Sequence, residues 1–526
     1  MDVVIVGGGL CGVMSAYFLA KCGRKVTVIE QLPRSQNSTS TAILSSDPNF
    51  LSRTICAKPL SFPSGFASIL SIFNPSTKNS DFQLPSLPSN SDSNYNSNSH
   101  GINPRFPLTM YIARWVFLFI SSCIDDGKKF VHRVNTNSEL ARQNLKLISD
   151  IVREENFDPT ELGLNLTGLL TIYRSMDDFD CGRKNQENFV NSPSLNPPLF
   201  PNSSQETRDI FEFLTEEQVL LLEPGLIGEE RNPEGGKKKR IVGGIFSPKS
   251  GCGNIEKFKE LMMECCERKY GVTFKFQTQI KNLIVESPLD KYEDSESILM
   301  NSQDNVTRIV GVQTTRGEMI PANTVILCAG INTQVIAHSI GIQVPVIEGR
   351  VDSIGIEIPN SLKSLSPQRI VIEGEKDSTF GSGKALQGSG VIITRSGSLV
   401  KFVDGIRFIP GNHGFERLLM KSKEMYPVLT KLLLKSKGKE KKEKGNSNNN
   451  SNDSEKDISI ETRLCNISPD GVPIVSSTKV QNLYLVAGLG ANSWNFSCAS
   501  AFVLTNMISF GRTQPRVLSL ERFKFL

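Results

Sequence analysis

The chain has 526 residues, of which 38% are apolar and 21% charged, with a net charge of +5. That length exceeds one ordinary hydrophobic core and predicts two domains, and the composition excludes a collagen-like or wholly disordered protein. The small positive balance argues against nucleic-acid binding: its basic runs, 237–240 and 431–444, are flanked by Gly, Asn and Ser and read as solvated loops.

The first thirty residues form a nucleotide-binding βαβ pattern. Residues 3–6 are an apolar run without polar alternation, as expected of a parallel strand buried on both faces. Gly7, Gly9 and Gly12 then supply a GxGxxG spacing, in which the first glycine permits the turn, the second lets backbone approach a pyrophosphate, and the third lets helix pack on sheet. Residues 13–21 continue as helix, Gly23 stops it, and residues 25–29 form the next strand. Glu30 ends that strand, where a carboxylate binds ribose hydroxyls and disfavours a 2′-phosphate.

Farther along, residues 79–100, 191–205, 289–305 and 435–457 are polar, Asn/Ser- or Lys/Glu-rich stretches expected to be disordered insertions. Residues 112–124 are the most hydrophobic stretch, but they are short and contain Arg114. A buried helix is expected there rather than a membrane span, with peripheral membrane contact as the alternative. Ser138 is expected to cap a helix carrying Leu140, Leu147, Ile148, Ile151 and Val152 on one face, and Asn254 a second helix ending near Tyr270. Strands follow at residues 272–276, at 324–328 before Ala329 and Gly330, and at 483–486 before Gly488 and Gly490, with a last helix over 497–510.

Nucleotide-type strands at the start, middle and end predict a discontinuous dinucleotide-binding domain over 1–60, 243–345 and 460–515, with a substrate domain over 61–242 and 346–434. The fold class is therefore α/β, α+β overall: a Rossmann-like domain with an inserted mixed-sheet domain. Eleven cysteines lack CxxC pairs or a histidine cluster, so neither a metal site nor a disulfide framework is expected. No secretory signal precedes the first strand, and a cytoplasmic location is the expectation.

The opening unit, LTEEQVLLLEPGL (214–226), GGIFSPKSGCGNIEKF (243–258), TVILCAGINTQ (324–334) and SPDGVPIVSSTKVQNLYLVAGLG (468–490) occur in one order. In that order the chain resembles the D-amino-acid oxidase superfamily of FAD-dependent oxidoreductases, and within it the D-amino acid dehydrogenase small-subunit family. The resemblance implies FAD as cofactor and hydride removal from the carbon bearing an amine, giving an imine that hydrolyses to a keto acid and ammonia. It implies that Gly7, Gly9, Gly12 and Glu30 bind the ADP end, that Ala329 and Gly330 pass the pyrophosphate, and that Gly488, Gly490 and Ser493 lie beside the flavin. The expected substrate is a D-amino acid or related amine, and the electron acceptor oxygen or a quinone.

The chain departs from the family near the chemistry. Where relatives read GLRP, with an arginine that clamps the substrate carboxylate, this chain reads Arg463-Leu464-Cys465-Asn466. Arg463 lies two residues away, on the same strand face but displaced by about 7 Å. It is the substitute expected here, with Arg350 and Arg395 as further candidate polar contacts. The segment TSAANAGQ of relatives is here Thr39-Ser40-Thr41-Ala42-Ile43-Leu44-Ser45-Ser46. Two alternatives follow from these departures: a diverged protein keeping FAD as a structural or regulatory ligand, and an oxidase of sarcosine-like or hydroxy-acid substrates.

Overall fold

The computed structural model describes residues 2–34, 41–44, 108–124, 127–191, 198–200, 211–226, 240–286, 307–374, 391–404, 406, 413–426, 429 and 458–523. Of the expected insertions, 79–100, 289–305 and 435–457, and 191–205 apart from 191 and 198–200, lie outside these residues.

Strand β1 (Asp2–Val6), helix α1 (Leu10–Lys21) and strand β2 (Lys25–Ile29) form the expected βαβ unit. They belong to a six-stranded sheet ordered Ile474–Ser477, Leu483–Ala487, Thr324–Leu327, β1, β2, Thr273–Lys275. Every pair is parallel except the edge strand Ile474–Ser477 with Leu483–Ala487. The unbroken apolar run of β1 now has its reason. Val3 and Ile5 pack under α1 and the helices Ile255–Tyr270 and Ser493–Phe510, while Val4 and Val6 pack against the antiparallel strands Ile280–Glu286, Arg308–Thr314 and Met319–Pro321. Both faces of the sheet are covered, so no position alternates to water.

A second, eight-stranded sheet is ordered Ile458–Ile467, Ile347–Glu357, Leu399–Val403, Ile392–Ser396, Ile370–Gly374, Leu169–Tyr173, Gly243–Ser247, Glu212–Leu214. It is mixed, since Ile370–Gly374 and Leu169–Tyr173 run parallel while the other neighbours are antiparallel. One face, through Leu169, Ile370, Ile372 and Ile392, joins the core that contains Val3 and Ile5. The other, through Leu170, Val371, Ile393 and Phe402, packs with Leu418 and Met425 of the helix His413–Met425.

The helix expected to begin at Ser138 instead runs Lys128–Glu154 from an N-cap at Gly127, and Ser138 is a buried residue within it. It carries buried asparagines that bond to other elements: Asn137 Nδ2 donates to the Gly471 carbonyl at 3.0 Å, and Asn144 Nδ2 to the Trp494 carbonyl at 2.6 Å. Polar residues on the inward face hide the apolar period on which a sequence reading depends. Asn254 does cap the helix Ile255–Tyr270, its Oδ1 accepting from the Lys257 N–H at 3.0 Å. The hydrophobic stretch forms the helix Leu108–Cys123, with Trp115, Leu118 and Cys123 buried. Among the described residues no helix is long and apolar enough to cross a membrane.

Two buried carboxylates tie the elements together in opposite ways. Glu155, its side chain 3% exposed, ends the helix Lys128–Glu154 and accepts from Tyr17 at 2.9 Å, Tyr270 at 2.8 Å, Lys269 at 2.7 Å and Cys265 at 3.3 Å. Burial alone would push its pKa up, but these donors outweigh it and hold the group at about 2. Glu223 follows the helix Glu216–Leu222 with no exposed side-chain surface, and it accepts the Gln368 N–H on both oxygens, at 3.2 and 3.0 Å. Here burial prevails over those bonds and Arg369, and the pKa rises to about 7.

The signs of the linked stabilities therefore differ. Glu155 contributes stability above its ordinary 4.5, lost as pH falls toward about 2. In urea unfolding, Glu155→Gln is expected to cost about 3 kcal/mol at pH 7, with the gap to wild type closing below pH 4.5. Glu223 contributes stability below 4.5 that is lost as pH rises through about 7. Glu223→Gln is expected to remove about 3 kcal/mol of pH-dependent stability across that window, measured by the same unfolding series.

Candidate active site

The glycine turn closes against the end of the neighbouring strand. Gly7 has φ +109°, and a Cβ there would strike the Cys328 carbonyl and come within 2.9 Å of the Ala329 Cα. A Cβ at Gly12 would strike the Gly7 carbonyl, so helix and turn approach as only glycine allows. Gly9, by contrast, faces nothing within 4 Å of a built Cβ. It is also the N-cap of α1, which has no side-chain cap and no acid in its first turn. Open space over bare helix N–H groups is a cradle that fits a pyrophosphate.

Glu30 stands beside this cradle. Its carboxylate accepts from the Gly8 N–H at 2.6 Å and the Leu32 N–H at 2.9 Å. A carboxylate has about four lone-pair sites, so acceptor capacity remains for ribose hydroxyls.

Two further strand ends meet the same edge. Ala329 and Gly330 follow Thr324–Leu327, which lies next to β1. Gly488 follows Leu483–Ala487, and a Cβ there would lie 2.9 Å from the Ser468 Cβ. Asn466 joins the two: its Oδ1 accepts the Leu489 N–H at 3.1 Å, and its Nδ2 lies 3.4 Å from a Cβ built on Gly330. Past Gly490, the helix Ser493–Phe510 begins, with Ser493 half-buried at its first position. Asn144 fixes that first turn by donating to the Trp494 carbonyl and accepting from the Cys498 N–H at 2.8 Å. The Trp494 ring packs over Gly253, whose strand Gly251–Asn254 pairs with Thr41–Leu44. Residues 39, 40, 45 and 46 of the altered segment lie outside the described residues. All nine expected cofactor residues thus collect at one sheet edge, and Asn144 and Asn466, which sequence reasoning did not single out, bond the helix and the loop that carry three of them. One sequence does not distinguish such internally bonded amides from surface ones.

The three arginines do not converge. Register places Arg463 opposite Val351 and Cys465 opposite Gly349, and it places Arg350 opposite Leu464 on the other sheet face. Through Ser353, Val403 and Ile392, the Arg463 face is the one that farther along joins the core beneath α1. Arg395 falls by the same register on the Arg350 face, donating to Gln368 Oε1 at 3.0 Å and the Lys363 carbonyl at 3.4 Å. Arg350 pairs with Glu348 at 3.3 Å.

On the Arg463 face the register adds a group the sequence reading did not pick out. Lys401, its side chain 2% exposed, bonds Glu461 at 2.8 Å, and Arg463 lies 3.7 Å from the same carboxylate. Burial lowers the Lys401 pKa while Glu461 opposes the shift. Burial also pushes the Cys465 thiol up to about 12, so at neutral pH it is an uncharged group.

Comparison with known proteins agrees with this geometry. A family model described as "DAO: FAD dependent oxidoreductase" matches residues 2–507. A D-amino acid dehydrogenase of Rhizobium johnstonii is 24% identical over 529 residues, covering 99% of this chain and 100% of that protein. One of Vibrio cholerae is 22% identical over 528 residues, covering 100% and 99%. Among solved structures, glycine oxidase from Geobacillus kaustophilus has a TM-score of 0.57 at 14% identity, covering 99% of this chain and 98% of its own. L-proline dehydrogenase from P. horikoshii has a TM-score of 0.56 at 14% identity, covering 99% and 97%. At such identities the structures share the fold.

The two kinds of glycine separate in a substitution experiment. Gly12→Ala forces a methyl into the Gly7 carbonyl and is expected to cost about 2 kcal/mol of stability together with bound flavin. Gly9→Ala meets no protein atom; stability should stay within about 1 kcal/mol while flavin content falls. Thermal melts of the flavin-free protein and the flavin-to-protein absorbance ratio report the two effects.

Proposed function

The chain belongs to the DAO family of FAD-dependent oxidoreductases, and on that premise we propose that it oxidises the C–N bond of a D-amino acid or related amine. When bound, FAD accepts the hydride from the amine-bearing carbon, leaving an imine that water hydrolyses to a keto acid and ammonia. The protein's part is to hold the cofactor, orient the substrate and exclude competing anions. The bare N-terminus of α1 would hold the pyrophosphate, Glu30 would accept ribose hydroxyls, and backbone N–H groups of residues 488–493 would stabilise negative charge on the reduced flavin.

The observation that carries the reading is the path of one strand. Ile458–Ile467 bears Arg463 on the face shared with Lys401, and its end meets the loop containing Gly488 and Gly490, through the Asn466 bond to Leu489 made from the opposite face and the backbone bridge of Ile467 to Leu489. A substrate carboxylate on the Arg463 fork is thereby brought to the end of the strand that meets the cofactor loops. Arg350 and Arg395, bonded on the other face, support the sheet in this reading. The acceptor is a quinone or oxygen, and the helix Leu108–Cys123, with Phe117 50% exposed and Ile124 just beyond it 55% exposed, supplies a surface for membrane contact. A second reading, FAD kept without amino-acid turnover, is favoured by the neutral thiol at Cys465.

Purified protein should show a flavin spectrum that bleaches anaerobically with at least one D-amino acid, secondary amine or glycine derivative. Arg463→Met is expected to lower kcat/KM by about 100-fold, mostly through KM, on losing a charge-assisted carboxylate pair. A flavin that no substrate of the panel reduces would leave the second reading.

A further inference from the structure

A cleft of about 410 Å³ lies away from the cofactor edge, lined by Tyr111, Arg114 and Trp115 of the helix Leu108–Cys123, by Lys479, and by Glu521 and Phe523 near the C-terminus. Its position follows from topology. Lys479 lies between the antiparallel edge strand Ile474–Ser477 and Leu483–Ala487, so it sits where the parallel strands begin. The glycine turn and Gly488 sit where those strands end. This cleft therefore has no part in holding FAD.

Its aromatic walls offer ring faces; of the other polar residues in the lining, Ser477 and Thr478 donate their hydroxyls to Gln514 and the Val480 carbonyl, and Gln343 lies beside them. The Tyr111 hydroxyl donates to the Val344 and Val346 carbonyls, at 2.6 and 2.7 Å, and accepts the Val346 N–H at 2.8 Å. The Trp115 Nε1–H donates to the Ile467 carbonyl at 3.1 Å, and the ring stacks on Phe119. Arg114 and Lys479 are different. Among the described residues neither has an acid within ion-pair distance, and both border the cleft; Glu521 is the acid in the lining. Two unmatched cations over aromatic walls, in a volume usual for small-molecule sites, are complementary to a molecule with an anionic head and an apolar body.

We propose that this cleft binds a small amphipathic anion: a carboxylate or phosphate ester held by Arg114 and Lys479, its aliphatic or aromatic body against Tyr111, Trp115 and Phe523. The same head chemistry is offered by a free molecule and by an acidic lipid, and the experiment separates the two. The flavin-loaded protein is titrated calorimetrically with decanoate, with neutral decanol, and with phosphatidylglycerol vesicles, beside the double variant Arg114→Gln/Lys479→Gln.

Saturable decanoate binding, weakened about tenfold or more in the variant and not matched by decanol, is the expected result for a free anion. Vesicle binding that is lost in the variant, without decanoate binding, identifies a lipid headgroup as the source. No binding in either arm, binding that the variant leaves unchanged, or equal affinity for decanol overturns the proposal. Neither side chain supports the cofactor site, so an unchanged flavin spectrum and substrate turnover in the variant show that any lost binding is local.

Discussion

The site depends on one close approach of backbone to backbone. The Gly7 carbonyl stands where a Cβ of residue 12 would be, and the Cys328 carbonyl where a Cβ of residue 7 would be. Two missing methyl groups let α1 settle onto the sheet edge, and that depth leaves the N-terminal N–H groups of α1 facing open space over Gly9. A bulkier residue at 7 or 12 would lift the helix and move its partial positive charge away from the phosphates it must meet. The depth of the helix on the sheet is thus set by packing rather than by charged side chains.

Around that contact, hydrogen bonds from buried amides pass position from one element to the next. Asn144, deep in the helix Lys128–Glu154, fixes the first turn of Ser493–Phe510 through three bonds. Asn466 fixes Leu489 from the neighbouring sheet. An asparagine side chain both donates and accepts, so Asn144 bonds the Trp494 carbonyl and, one turn farther on, the Cys498 and Ala499 N–H groups. Glu155 performs the same service at the far end of the long helix, drawing α1 and Ile255–Tyr270 together. These loops therefore rest on a frame that is hydrogen-bonded at the middle and at the C-terminal end of one helix.

What a single sequence discloses follows from which physics is local. β1, α1 and β2 were legible because a two-sided buried strand, a glycine turn and a terminal acid leave a continuous trace in thirty residues. Strands at 324–327 and 483–487 were legible for the same reason, the first lying beside β1 and the second beside the first, as their apolar runs imply. The start of Lys128–Glu154 was not, because its buried asparagines look like surface residues until their partners are known. Nor could Arg350 and Arg463 be ranked. Their separation to opposite faces comes from a cross-strand register in which Arg350 opposes Leu464, a relation between segments more than a hundred residues apart. Lys401 escaped notice because a lysine in an apolar strand reads as an edge or surface feature, yet it lies buried in the middle of the sheet.

That register also sets the charges around Cys465. A lone arginine two residues displaced would be drawn to the nearest acid, and Glu461 is that acid, 3.7 Å away. Lys401 holds Glu461 at 2.8 Å in a buried pair, where attraction between opposite charges is stronger than at the surface. With the carboxylate engaged by the lysine, the Arg463 guanidinium keeps donors for another partner, and the cluster of two cations and one anion retains one net positive charge. Cys465 is uncharged at neutral pH with Gly349 opposite, so the positive charge of this face sits at Lys401 and Arg463.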